Sequence, residues 1–219
     1  TNTKISVNRD ESLLMYLPNH FKEDDKKEIE KLIKKFPLAT LVCFLDGDFI
    51  ANHIPIIHDK NDKYIGHIAK ANPLHKSFPN GTNVIAIFKA EDSYVSPNWY
   101  PTKLETHRHV PTWNYQVVHI HGYLSFHDST KEKLLTVGKL TKTYERAFSG
   151  KNAWKMSDAP KDFMKQMLDN IVAFKLTVER ISAKSKISQN REKVDSQSVQ
   201  KVMEELDKTG LSNAMKRLI

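Results

Sequence analysis

The dipeptide Asp46-Gly47, set between the apolar runs Leu38–Leu45 and Phe49–His58, constrains this chain more than any other feature. Asp-Gly accepts positive φ at both centre positions of a two-residue turn, and the twist of that turn suits two antiparallel strands. A hairpin here therefore starts an antiparallel sheet. Further strands are read over Lys63–Lys70 and Asn83–Lys89, and over Val110–Phe126, which bends at Pro111 and Gly122. Along that last run Val118, Ile120, Gly122 and Leu124 share one face, and Val117, His119, His121 and Tyr123 share the other. A final core strand alternates through Phe174, Leu176 and Val178.

Helices flank these strands. Asp24-Asp25 cap a helix whose apolar stripe is Ile29, Leu32, Ile33 and Phe36, and Pro37 ends it. Ser129-Thr-Lys-Glu132 has capping-box spacing and opens a helix through Leu134, Val137, Leu140 and Tyr144. Ser157-Asp-Ala-Pro160 starts another with the stripe Phe163, Met167, Leu168 and Ile171. From Asp195 a short amphipathic helix carries Val199, Val202, Met203 and Leu206, and is read as stopping near Gly210. No regular strand–helix alternation argues for a parallel sheet, and the pattern reads as α+β with an antiparallel barrel or sheet.

The chain has 219 residues and a net charge of +8, from 34 basic and 26 acidic side chains. That balance favours anionic partners, either nucleic acid or a phosphorylated cofactor. No run approaches the ~20 apolar residues of a membrane helix, and no charged-apolar-small leader opens the sequence, so no membrane partner and a cytoplasmic location are expected. The single Cys43 lies in an apolar strand, which argues against both a disulfide framework and a reactive thiolate.

Residues 93–122 hold two of three tryptophans, three of seven tyrosines and three of nine prolines, interleaved with Asn98 and Asn114. Rings stack, amides donate and accept, and prolines fix loops, which suits a pocket for a flat polar ligand. A strand pair with an aromatic edge and two proline turns reads from the same residues. Gly66-His-Ile-Ala-Lys-Ala-Asn-Pro73 leaves a strand with small residues, one cation and one amide, which lets an anion approach the backbone. Pro55, inside a strand-like run, marks an edge or bulge. Lys186-Ile-Ser-Gln-Asn-Arg191 is a compact donor-rich cluster. Ten histidines are present, yet no Cys pair, His-Glu-x-x-His helix or nearby carboxylate completes a metal set. Nor is there a nucleophile elbow or a catalytic Ser/His/Asp set.

Six segments, in order, resemble the PaiB family of FMN-binding negative transcriptional regulators. They are Ala51-Asn-His-Ile-Pro55, Gly66 to Pro73, Val95-Ser-Pro-Asn-Trp-Tyr-Pro101, Val110-Pro-Thr-Trp-Asn-Tyr115, Trp154-Lys-Met-Ser-Asp-Ala-Pro160 and Lys186 to Arg191. The opening Met15-Tyr-Leu-Pro-Asn-His-Phe21 matches as well. The resemblance implies a six-stranded split β-barrel with flanking helices over 15–191, after a lead-in over 1–14 and before a helical tail over 192–219. It implies a homodimer with FMN in clefts at the subunit interface. By similarity Asn52, His53 and Ile54 border the isoalloxazine ring, while Lys70 and Asn72, with His67 nearby, approach the phosphate. Trp113 and Asn114 line the cleft, and Gln189 and Arg191 close it. The chain departs from the family pattern at Leu74-His-Lys76 and at Glu105-Thr-His-Arg-His109.

Three functions follow as expectations. One is an FMN-binding homodimeric regulator, with DNA as a further partner through Lys184, Lys186, Arg191, Lys193 and Lys201, although no helix-turn-helix is legible. The second is an enzyme of the pyridoxamine-phosphate-oxidase type, or a haem-binding split-barrel protein with a histidine as axial ligand. The third is a dimeric domain with an empty cleft.

Overall fold

The computed structural model describes residues 15–60 and 63–218, so the lead-in expected over 1–14 lies outside the described residues. Among the described residues, seven strands form one sheet in the order β2-β1-β5-β6-β7-β4-β3. They are β1 (Leu38–Leu45), β2 (Asp48–Pro55), β3 (Ile57–His58), β4 (Lys63–Ala69), β5 (Thr82–Val95), β6 (Thr112–His127) and β7 (Ile171–Lys186). The helices are α1 (Lys26–Lys35), α2 (Leu74–Ser77), α3 (Lys103–Thr106), α4 (Thr130–Phe148), α5 (Lys161–Asp169), α6 (Lys193–Glu205) and α7 (Thr209–Lys216).

Asp46 and Gly47 take φ of 52° and 92° and close the β1–β2 hairpin, which pairs from Leu45↔Asp48 to Leu38↔Pro55. The expected run Phe49–His58 breaks at Ile56, whose N–H goes to Pro37 O, so the sheet has seven strands where six were expected. Pro55 ends an edge strand, where its missing donor costs no ladder bond. The faces of β6 alternate as read, with Val118, Ile120, Gly122 and Leu124 all buried.

Glycine is required where strands meet closely. A Cβ on Gly122 would lie 2.1 Å from Thr177 O, and one on Gly66 would lie 2.5 Å from the Phe174 ring. Ser129 caps α4 as its spacing predicts, accepting from Glu132 N at 3.4 Å. On α5, however, Leu168 is buried whereas Phe163 and Met167 are exposed.

The tail holds two helices rather than one ending at Gly210. The chain turns at Asp207 (φ 56°), and Gly210 lies in the first turn of α7. There Glu91 accepts from the backbone N–H of Gly210 at 2.8 Å and of Leu211 at 3.3 Å, supplying the anionic cap that a helix start favours.

The chain folds as two compact units. The first comprises residues up to 25, 90–117 and 182–219; the second comprises 26–89 and 118–181. The first is built on Val95, Tyr100, Ile187, Val199, Met203, Leu211 and Met215, packed as one buried cluster. In the second, Ile57, Ile65 and Leu140 pack together with Tyr144 against them. The strands β5, β6 and β7 each pass from one unit to the other partway along their length.

Candidate functional site

In the second unit the turn after β4 carries two of the candidate residues, Lys70 and Asn72. Asn72 N–H donates to Ala69 O, and the Asn72 side-chain oxygen accepts from Leu74 N at 3.0 Å, fixing the start of α2. The remaining half of that amide donates to Asn52 Oδ1 on the edge strand β2 at 2.9 Å. Residues twenty apart in sequence thus form one wall of a cleft of about 370 Å³, also lined by Ile50, Pro73, Ser77 and Phe78. A cleft edge with amide donors and acceptors beside an aromatic ring suits a flat polar ligand.

Lys70 stands just before this turn. Its backbone N–H is held by Asn170 O at 2.8 Å, and its half-exposed ammonium pairs with Asp128 at 3.2 Å. The other oxygen of Asp128 takes the buried ammonium of Lys133 at 2.6 Å. The hydrogen bond from Lys133, reinforced by Lys70, outweighs burial and holds the Asp128 carboxyl below the usual carboxylate range. Two lysines therefore share one carboxylate, and the group keeps a net positive charge.

The other residues of this unit sit differently. Asn52 and Ile54 share a face of β2 and Ile54 is buried, whereas His53 points to the opposite face and hydrogen-bonds Thr40 at 3.1 Å. His67 faces Ala173 across the β4–β7 pairing, and burial pushes its pKa down, leaving a neutral ring. Its Nδ1 has no hydrogen-bond partner among the described residues. His119 on β6 is likewise pushed down by burial with Nδ1 unpartnered.

In the first unit, Trp113 is 53% exposed and meets Tyr94 edge-on at 6.1 Å. Asn114 is buried, with its amide donating to Ser188 Oγ at 2.9 Å. Gln189 closes its own loop, accepting from Ile187 N at 2.8 Å and donating to Ser185 O. The Arg191 guanidinium lies 5.1 Å from the Tyr100 ring centre. Gln189 and Arg191 share a smaller cleft of about 170 Å³ with Lys193, Ser196 and Met215.

The basic segment nearby is less open than its sequence suggests. Lys184 is buried, donates to Tyr16 O at 2.9 Å, and lies within 6.0 Å of the ring centres of Tyr16, Phe21 and Tyr115. Lys186 donates to Thr112 Oγ1 and Trp113 O, and burial, with Lys184 and Arg191 nearby, pushes its pKa down. Lys193 and Lys201 are exposed on α6.

The structure thus joins Asn52 to Asn72 and groups Gln189 with Arg191. It also shows Asp128 and Lys133, which no spacing rule indicates. Lys133 lies within the expected helix start and reads there as an ordinary exposed lysine.

Residues 15–180 match the family model described as "Putative FMN-binding domain". The chain is also 34% identical over 191 residues to the protease synthase and sporulation protein PAI 2 of Bacillus subtilis, covering 84% of this chain and 87% of that one. The chain belongs to the PaiB family. This PaiB-family chain is likewise 34% identical over 130 residues to an uncharacterized protein of Saccharomyces cerevisiae, over 49% of this chain and 76% of that one. Among solved structures, the flavocytochrome Anf3 of Azotobacter vinelandii superposes with a TM-score of 0.56 at 14% identity, covering 75% of this chain and 69% of that one. The FAD and heme binding protein of Mycobacterium smegmatis superposes at 0.53 with 17% identity, covering 75% and 73%. These likenesses place this PaiB-family chain in the split-barrel fold class.

Proposed function

We propose that this protein is an FMN-binding, PaiB-like negative regulator of transcription that works as a cytoplasmic homodimer. The observation that carries the cofactor reading is the Asn52–Asn72 wall, with the net-positive Lys70, Asp128 and Lys133 group one turn away. Amides suit the polar edge of a flavin ring, and Lys70 suits a phosphate as a point charge. The cleft is at the small end of the roughly 300–1,000 Å³ typical of small-molecule sites, as expected if a second subunit completes it. The β1–β2 hairpin at the sheet edge supports that dimer, exposing Leu38, Phe44 and Phe49 at 61%, 56% and 79%. Contact with DNA would rest on exposed cations such as Lys193 and Lys201 rather than on Lys184.

FMN, when bound, supplies a two-electron redox centre, while the protein contributes binding and orientation. The deciding experiment compares FMN with riboflavin by flavin-fluorescence titration of wild type and Lys70→Ala. A charge-assisted phosphate contact is worth about 1.5–3 kcal/mol, so the variant should lose roughly 10- to 150-fold in FMN affinity and little for riboflavin. Equal losses for both ligands remove Lys70 from the phosphate, and absence of flavin binding by wild type removes the reading itself.

A further inference from the structure

We propose that Lys133 is a second cation for the phosphate of FMN, and that Asp128 is an internal stand-in holding the phosphate's place between Lys70 and Lys133. The assignment rests on the reading that Lys70 meets the phosphate, and names what completes and regulates that contact. Lys133 lies in the opening turn of α4, where the helix dipole disfavours a cation. Its side chain is only 5% exposed, and burying an ammonium is costly unless its charge is well matched. Position and burial both oppose a lysine there, and only a strong counter-anion offsets them.

Asp128 is a weak one. Its side chain is 54% exposed, and its second oxygen is taken by Lys70. The next carboxylate along the chain, Glu132, is engaged by Lys175 at 2.8 Å. Two ammoniums therefore face one negative charge, leaving a positive charge over beside the Asn52–Asn72 wall. Asp128 sets Oδ2 at 3.2 Å from the Lys70 ammonium and Oδ1 at 2.6 Å from that of Lys133. Two oxygens on one centre, each on a different ammonium, make the fork that a phosphate monoester presents with a third oxygen and more negative charge. Asp128 sits between the end of β6 and Ser129, the cap of α4. Its half-exposed carboxylate can turn into water and keep its charge solvated, whereas the buried Lys133 cannot follow. The exchange then sets two cations against a dianion. Hydrogen bonds from Lys133 and Lys70 keep the Asp128 carboxyl ionised at neutral pH, so it opposes the phosphate until it leaves.

The test is fluorescence titration of FMN and of riboflavin against wild type, Lys70→Ala, Lys133→Met and Asp128→Asn. Lys133→Met removes the buried charge at similar length. It should weaken FMN at least about tenfold and hold riboflavin within about twofold. Asp128→Asn removes the competing charge and should leave riboflavin alone. It should tighten FMN at least about threefold, since each partly exposed ion pair that need not be broken is worth up to about fivefold. A residue that merely organised the two lysines would give the opposite sign. If either variant fails to fold, judged by circular dichroism, the other decides. Unchanged FMN affinity in Lys133→Met, or unchanged or lower affinity in Asp128→Asn, overturns the inference. A loss confined to FMN in Lys70→Ala would then leave the cofactor reading standing. Equal losses for both ligands in Lys70→Ala, or no flavin binding by wild type, overturn this inference together with the reading beneath it.

Discussion

Replacing Gly122 by alanine sets two effects of opposite sign against each other. Where a glycine has a backbone conformation that alanine accepts, the substitution stabilises by about 0.4–1 kcal/mol by restricting the unfolded chain. Gly122 lies in β6 with no positive φ, so that gain is available in principle. Its space is not. The new Cβ would lie 2.1 Å from Thr177 O and 3.1 Å from a Leu176 methyl. A carbon and a carbonyl oxygen approach to about 3.3–3.6 Å at best, so roughly 1.2 Å of separation must be created against backbone. Side chains cannot yield that movement, and opening the strands stretches ladder hydrogen bonds worth about 1 kcal/mol each. Overpacking alone costs about 1–3 kcal/mol. With one or two weakened ladder bonds and the entropic gain deducted, we expect Gly122→Ala to lose about 2–4 kcal/mol. Urea unfolding followed by circular dichroism measures this as a lower midpoint at unchanged slope. A variant within about 0.5 kcal/mol of wild type, or more stable, would refute the contact argument.

Asp195 is buried and accepts from Thr102 N at 3.1 Å and Thr102 Oγ1 at 2.7 Å, so Asp195→Ala should destabilise by about 3 kcal/mol, read by the same urea titration. Cys43 is 2% exposed and burial raises its thiol to about 11, so Ellman's reagent at pH 8 should leave it unmodified until denaturant is added. His67 and His119 have folded pKa values pushed below the ordinary 6.5 by burial. The unfolded chain then binds more protons than the native one once pH drops below about 6.5, so stability is full above that pH and falls as the solution is acidified. Midpoints measured at pH 7.5, 6.0 and 5.0 should decline less in His67→Gln than in wild type, and an identical decline would remove His67 from the effect.

The parts of the fold legible in the sequence are those where local chemistry and tertiary role agree. Asp46-Gly47 demanded its turn, Pro55 its edge, and Ser129 with Glu132 its helix start. Strand lengths were less legible, because polar residues were buried at strand ends. Apolar alternation is readable only as far as Lys89, yet β5 continues to Val95 with Ser93 buried. Likewise β7 runs to Lys186 through Lys184 and Ser185, both buried; aromatic rings and Tyr16 O accept the lysine. Gly210 read as a helix stop because its true partner, Glu91, is 119 residues away. The site shows the same division. Asn72 and Lys70 stood out by composition, but the Asn52–Asn72 hydrogen bond and the Asp128–Lys133 pair depend on tertiary contacts that spacing does not encode.

The passage of β5, β6 and β7 through both compact units bears on how this protein can be engineered and how it can have evolved. No single cut of the polypeptide releases either unit, because the chain crosses between them four times, at Asp25–Lys26 and then within β5, β6 and β7. Neither half can therefore be expressed as a module, transplanted to another protein or lost by truncation without severing strand interiors. Change must come by insertion at exposed turns such as Asp46-Gly47, or by substitution in place. A split reporter made from this chain would have to reassemble by strand complementation rather than by docking two finished domains.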